Sequence, residues 1–250
     1  MVQNMNKSEL EKILKNVTES KGCSDSYTAE QIEQIREFFL MHRNDTKRFL
    51  GWNDCGLDKL LKIEYSSDSH TSFDKLEKKY GDQNFWRGGG PCVQSNYSRI
   101  RYFFRKTKPR KGQAVYDLGS GFGRVVFYGG LVTDAFIKGV EIVPARVEEC
   151  NRIKENLKLE NISFTQVNVL DVDFSDGDIF FMYHPFSIET GFAVLEKLRK
   201  LSEQKPILVG INHRVHGLEK NMDWLKEINR HEIYDMRIFS SKNNQEVMPK

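Results

Sequence analysis

The spacing of apolar and polar residues changes character near residue 95. Before it, apolar positions come in short groups at helical spacing, separated by polar stretches. SYTAEQIEQIREFFLMH (26–42) predicts the clearest helix: Thr28 and Gln31 form a capping-box pattern, and Ile32, Ile35, Phe38 and Phe39 recur on one face. GLDKLLKIEY (56–65) and FDKLEKKYG (73–81) predict further short helices, with YSSDSHTS as a loop between them. After residue 110 short apolar runs alternate with longer amphipathic ones. QAVYDL, FIKGVEI, ISFTQVN, DIFFMYH and PILVGIN predict strands. FGRVVFYGGLV, PARVEECNRIKENLKLE and SIETGFAVLEKLRKLSEQ predict helices, with Pro144 near the start of the second and Ser187 capping the third. WLKEINRHEIYDMRIFSS (224–241) lacks helical periodicity and predicts a closing hairpin.

Alternation of this kind predicts an α/β fold. The expectation is a three-layer, Rossmann-like parallel sheet wrapped by helices, with a helical N-terminal extension and ligands bound beyond the carboxyl ends of the strands. The 250 residues suffice for one large domain or a domain with a sizeable extension. A net charge of +3 gives no ground for a nucleic-acid partner, and no run reaches the length of a membrane span. Cys23, Cys55, Cys92 and Cys150 lie far apart, with no C-x-x-C pair. This spacing predicts no zinc cluster and no disulfide framework, and hence a reducing, cytoplasmic setting. The first residues, polar and amphipathic, lack the apolar centre of a secretory signal.

The chemistry concentrates in VYDLGSGFGRVVF. A strand running into Gly119, Gly121 and Gly123 and then a helix lets backbone approach a ligand closely. A dinucleotide fingerprint needs a third glycine where Arg124 stands, which disfavours a nicotinamide dehydrogenase. Asp117, two residues ahead of the first glycine, would repel a pyrophosphate but can accept from an ammonium group. Glu141 ends the next strand, about 24 residues on, where a carboxylate can accept both hydroxyls of a ribose. Asp171, after the third strand, is placed to accept from an adenine amino group. Amine, ribose and adenine together describe S-adenosylmethionine.

These motifs, with KGVEIVPARVEEC, NVLDVDF and FFMYHPF, resemble a class I S-adenosylmethionine-dependent methyltransferase over roughly residues 95–240. DLGSG, GVE, and Ser95 about 22 residues before Asp117 are similar to bacterial relatives of the non-SET histone-lysine methyltransferases. The resemblance implies a methyltransferase domain at 95–250 and a helical extension at 1–94 that caps the acceptor side. It implies cofactor contacts from Ser95, Asp117, Gly119, Gly121, Phe122, Glu141, Ile142 and Asp171. Ser95 is expected to cap the helix that follows it.

In this family the acceptor sits beside the segment after the fourth strand. Here that segment is MYHPF, with one proline and no amide, a departure from the Asn-Pro-Pro-aromatic pattern of amino-group methyltransferases. His184 is the candidate general base and Tyr183 its companion. Phe186 offers an aromatic wall and His213, in INHRVHG, a further lining group; no metal is expected there. NFWRGGGPC suggests a lid hinged at Gly88–Gly90, closing Trp86 and Tyr97 over the acceptor. The expected function is methyl transfer from S-adenosylmethionine to a protein side chain or a small molecule. The alternative is a non-catalytic S-adenosylmethionine-binding or interaction module on the same fold. RKTKPRK (105–111) reads as a solvated helix end that can meet an acidic partner.

Overall fold

All five residues of strand β1 (Ala114–Leu118) are buried, as a strand covered on both faces requires. The computed structural model describes residues 7–19, 26–45, 53–63, 94–183, 188–212, 218–231, 233 and 235–241. Beside β1 lie β2 (Phe136–Glu141), β3 (Ile162–Gln166), β4 (Gly177–Met182), β5 (Leu208–Asn212), β6 (Leu225–His231) and β7 (Met236–Ser241). Their order across the sheet is β3-β2-β1-β4-β5-β7-β6. The first five strands are parallel, and β7 runs antiparallel to β5 and β6, so the final segment is the hairpin its sequence predicts. The chain winds outward from β1 to β3 and then returns to β4. The switch point, where the connections diverge and leave a crevice, therefore falls between β1 and β4.

Helices α1 (Lys7–Glu19), α2 (Ala29–His42) and α3 (Asp54–Leu60) precede α4 (Tyr97–Thr107), α5 (Arg124–Val132), α6 (Pro144–Asn156) and α7 (Ile188–Ser202). The capping box of Thr28 and Gln31 forms at the start of α2, and Ile35, Phe38 and Phe39 are buried. FDKLEKKYG lies outside the described residues, as does Ser187.

Period-two alternation sorts the strand side chains onto two faces. Tyr116, Leu118, Phe180 and Met182 pack with Val194 and Leu198 of α7. Val115, Ile179 and Phe181 face the other way, into a core shared with Phe103 of α4, Phe127 of α5 and the N-terminal helices through Leu10, Leu14, Phe38, Phe39 and Leu60. The Phe39 and Tyr128 rings meet edge to face at 5.7 Å. Each such buried Leu or Phe contributes about 1.5–3 kcal/mol of gross burial energy, so α1–α3 are cemented to this face of the sheet. Two glycines sit inside α5 because the helix lies hard against its neighbours. A Cβ at Gly129 would strike the Phe104 ring, and one at Gly130 would strike Ile162.

Candidate functional site

The turn after β1 takes the backbone shape its glycines allow. Gly119, Gly121 and Gly123 have φ of 81°, 55° and 78°, the left-handed region in which a Cβ is strained. Gly119 and Ser120 donate their N–H groups to the Val140 carbonyl, each at 2.9 Å, tying the turn to the end of β2. Gly123 is the N-cap of α5 and supplies no side chain to the first turn of that helix.

A cleft of about 30 Å³ opens over this turn at the switch point. Its lining includes Ser95, Asp117, Gly119, Gly121, Phe181 and Tyr183. The volume suits a group the size of water or ammonium rather than a whole nucleoside. Asp117 is 3% exposed. Burial, reinforced by the nearby Glu141 carboxylate, holds its pKa well above the ordinary 3.8. Among the described residues no cation and no hydrogen-bond donor meets the Asp117 carboxyl group. A buried carboxyl without a partner, at the wall of a water-sized cleft, is an open socket for a small cation.

Glu141 is bound differently. Its Oε2 accepts from Gly121 N–H at 2.8 Å, and its Oε1 accepts from Ile142 and Val143 N–H, each at 3.0 Å. Arg146 approaches at 3.5 Å, held over the Phe122 ring at 5.7 Å. A carboxylate has about four acceptor positions, so three backbone donors leave room for one ribose hydroxyl rather than the expected two. Glu141 thereby fixes the glycine turn and the start of α6 as well. Ile142 is half-buried beside it, while the Phe122 side chain is wholly buried and leaves only its backbone toward the turn.

Asp171 is exposed at the end of a short 3-10 helix after β3, the same sheet edge as Glu141. Its neighbours in sequence are occupied. Asp176 pairs with Lys138 and accepts from the Tyr116 hydroxyl at 2.6 Å, and Asp173 accepts from Ser175 N–H at 2.9 Å. Of the three, only the Asp171 carboxylate has no such partner among the described residues.

Two expectations need correction. Ser95 does not cap α4; Asn96 does, accepting from Arg99 N–H at 3.0 Å. Ser95 is buried one residue earlier, at the cleft, and its carbonyl accepts from Arg124 at 3.0 Å. Both Ser and Asn are strong caps, and the helix starts one residue later than the serine would require. Tyr97 is no lid residue. It is 0% exposed, and its hydroxyl donates to Asp58 Oδ1 at 2.9 Å inside the core. Trp86, Gly88–Gly90, His184, Phe186 and His213 lie outside the described residues. Tyr183 stands at the cleft wall, where Arg99 donates to its hydroxyl at 3.4 Å and lies 5.7 Å from its ring centre.

Arg124, which the sequence presents only as a missing glycine, is the keystone of this corner. Its guanidinium grips both oxygens of Asp58 on α3, with Nε to Oδ1 at 2.8 Å and Nη2 to Oδ2. It also lies 5.3 Å from the Tyr97 ring centre. A bidentate, buried pair thus joins the glycine turn to the N-terminal helices. No sequence signal links positions this far apart. Among the described residues no cluster of three His, Cys, Asp or Glu side chains suits a metal, and no helix is long and apolar enough to cross a membrane.

No family model and no curated protein matches the chain. Solved structures resemble it in fold. An RNA methyltransferase from Salinibacter ruber in complex with S-adenosyl-L-homocysteine is 18% identical, with a TM-score of 0.46, over 63% of this chain and 98% of that one. A SAM-dependent methyltransferase from Aquifex aeolicus is 13% identical, with a TM-score of 0.44, over 68% and 98%. TrmN from Thermus thermophilus is 13% identical, with a TM-score of 0.46, over 58% of this chain and 48% of that one. At these identities and scores, the chemistry has to be argued from the site itself.

Proposed function

We propose that the protein is an S-adenosylmethionine-dependent methyltransferase whose cofactor lies across the carboxyl ends of β1, β2 and β3. One observation carries the reading: the buried, unpartnered Asp117 carboxyl group at the water-sized cleft beside three left-handed glycines. A small cation satisfies that carboxylate, and the glycine turn admits the atoms attached to it without a Cβ in the way. Ser95 lines the same cleft, Glu141 has one acceptor position left for a ribose hydroxyl, and Asp171 is free for an adenine amine. The bound cofactor supplies a methyl group on a positively charged sulfur, already activated for displacement. The chain's share of the work is to hold the donor, orient the acceptor and keep water out. Tyr183, fixed by Arg99 at the cleft wall, is the described residue nearest that task, with His184 next in sequence as candidate base. The acceptor is a protein side chain or a small molecule. The finer likeness to relatives of the non-SET histone-lysine methyltransferases rests on DLGSG, GVE and Ser95, while MYHPF departs from the amino-group pattern, so a protein amine and a protein carboxylate both stay in this reading. Residues 1–94 act as the cap over the acceptor side.

Calorimetry with S-adenosylmethionine and its demethylated product tests the cofactor, and incubation with methyl-labelled cofactor and cell extract tests the transfer. Binding of both ligands with label appearing in protein or metabolite is the expected result. Binding without transfer makes the chain a binding module, and absence of binding removes the proposal.

A further inference from the structure

The edge of the sheet opposite the cofactor cleft carries a second pocket, of about 520 Å³, at the amino ends of β1 and β2. Its rim includes Arg43 at the end of α2, Arg105 and Lys108 at the end of α4, and Arg110 and Lys111 in the loop before β1. Four of these five cations belong to RKTKPRK. None of the five forms an ion pair among the described residues; Arg105 lies 5.7 Å from the Tyr102 ring centre. Asp134 is the acid in the lining. Phe104, Pro109, Val132 and Tyr128 make the floor apolar.

A simpler account is that the cations serve the helix carboxyl ends that converge here. Each such end carries about half a negative charge, so three helix ends and Asp134 together leave about two and a half positive charges uncompensated.

We propose that this pocket binds a small organic phosphate, its phosphate held by Arg105, Lys108 and their basic neighbours, its carbon body on the Phe104–Val132 floor. Arginine and lysine around a phosphate provide charge-assisted bonds, and an apolar floor selects an ester over the free ion. A polynucleotide fits less well. The adjoining pocket adds Arg36 and Lys158, but Asp134 and Glu160 interrupt the basic surface where a phosphate backbone would have to track.

The test uses the full chain and calorimetry with 1-naphthyl phosphate, 1-naphthol, inorganic phosphate and a short single-stranded oligodeoxynucleotide. The expected result is one site for 1-naphthyl phosphate, at least ~10-fold tighter than inorganic phosphate or 1-naphthol, and unaffected by saturating S-adenosylmethionine. Arg105→Gln with Lys108→Gln, both on the surface, should weaken it by at least ~10-fold. The proposal is overturned if no phosphate probe binds, if 1-naphthol binds equally well, or if the oligonucleotide binds more tightly than the ester. Competition by S-adenosylmethionine, or indifference to the double substitution, overturns it equally.

Discussion

Replacing Asp117 by Asn separates binding from stability, because the same carboxyl group does opposite things to each. In the free protein Asp117 is buried, unpartnered and close to Glu141, and its pKa is raised from 3.8. A folded-state pKa above the unfolded one gives stability that is complete below about pH 4 and is lost as pH rises through the folded value. Asp117→Asn removes that loss, so the variant should match the wild type at low pH and exceed it by about 1 kcal/mol or more at pH 8. Binding moves the other way. At a concentration near 100 Kd, S-adenosylmethionine stabilises the wild type by about 2.7 kcal/mol. For a chain of this length that is a Tm increase of about 5–11 °C. Loss of a charge-assisted hydrogen bond of about 1.5–3 kcal/mol raises Kd by roughly 10–150-fold. The same ligand concentration then stabilises the variant by about 0.3–1.4 kcal/mol, or about 1–6 °C. Differential scanning fluorimetry from pH 5 to 8, with and without the ligand, reads both effects. An Asn variant with an undiminished ligand-induced shift would refute the ammonium socket. A wild type no less stable than the variant at pH 8 would refute the electrostatic account of Asp117.

Four further substitutions probe the packing and electrostatics of the fold. Arg124→Leu leaves the Asp58 carboxylate buried without its cation and should cost about 3–5 kcal/mol in urea unfolding, with a loss below ~1 kcal/mol counting against the clamp. Gly112 and Gly123 share a left-handed backbone at φ of 88° and 78°, but a Cβ meets nothing within 4 Å at the first, and Phe127 at 2.8 Å and Phe164 at 2.9 Å at the second. Gly112→Ala should therefore destabilise by about 1 kcal/mol and Gly123→Ala by about 1–3 kcal/mol more; equal Tm losses would show that the packing there yields freely. Burial lowers the pKa of His42 from 6.5 although Asp45 pulls it back, so the stability it contributes is present above pH 6.5 and falls as pH drops through the folded value. His42→Gln should flatten that acid limb, measured by unfolding midpoints between pH 7 and 5.

The parts of the fold legible in the sequence are those with local causes. Period-two and period-3.6 patterning marks β1 to β5 and α5 to α7, and the turn declares itself through glycines at positions that need positive φ. Asp117 is legible for a related reason: a carboxylate at the end of an apolar strand needs a purpose, and the strand carries it into the core. Asn96 and Ser95 show where local reasoning loses resolution. Two good caps stand side by side, and the choice between them depends on where the packed helix begins. Tyr97 fails as a lid residue because its fate is set by Asp58, far back in the chain. The number of acceptor positions left on Glu141 likewise depends on a fold that brings Gly121 N–H to its carboxylate.

Arg124 ties these points together. At the position where a dinucleotide fingerprint has its third glycine, a small residue lets helix and strand approach closely. Here the helix is entered through Gly123, and the next side chain, itself part of the cleft lining, holds Asp58 and the Ser95 carbonyl. Ser95 and the glycine turn both line the cleft, so one guanidinium fixes the spacing of its two walls. The N-terminal helices therefore support this cleft energetically, although α3 supplies no described residue to its lining. An extension that merely covered the acceptor could be loosened without changing affinity for the donor. On the present geometry, weakening the Asp58–Arg124 pair must weaken donor binding and stability together, and the two losses should shrink together in a double-mutant cycle.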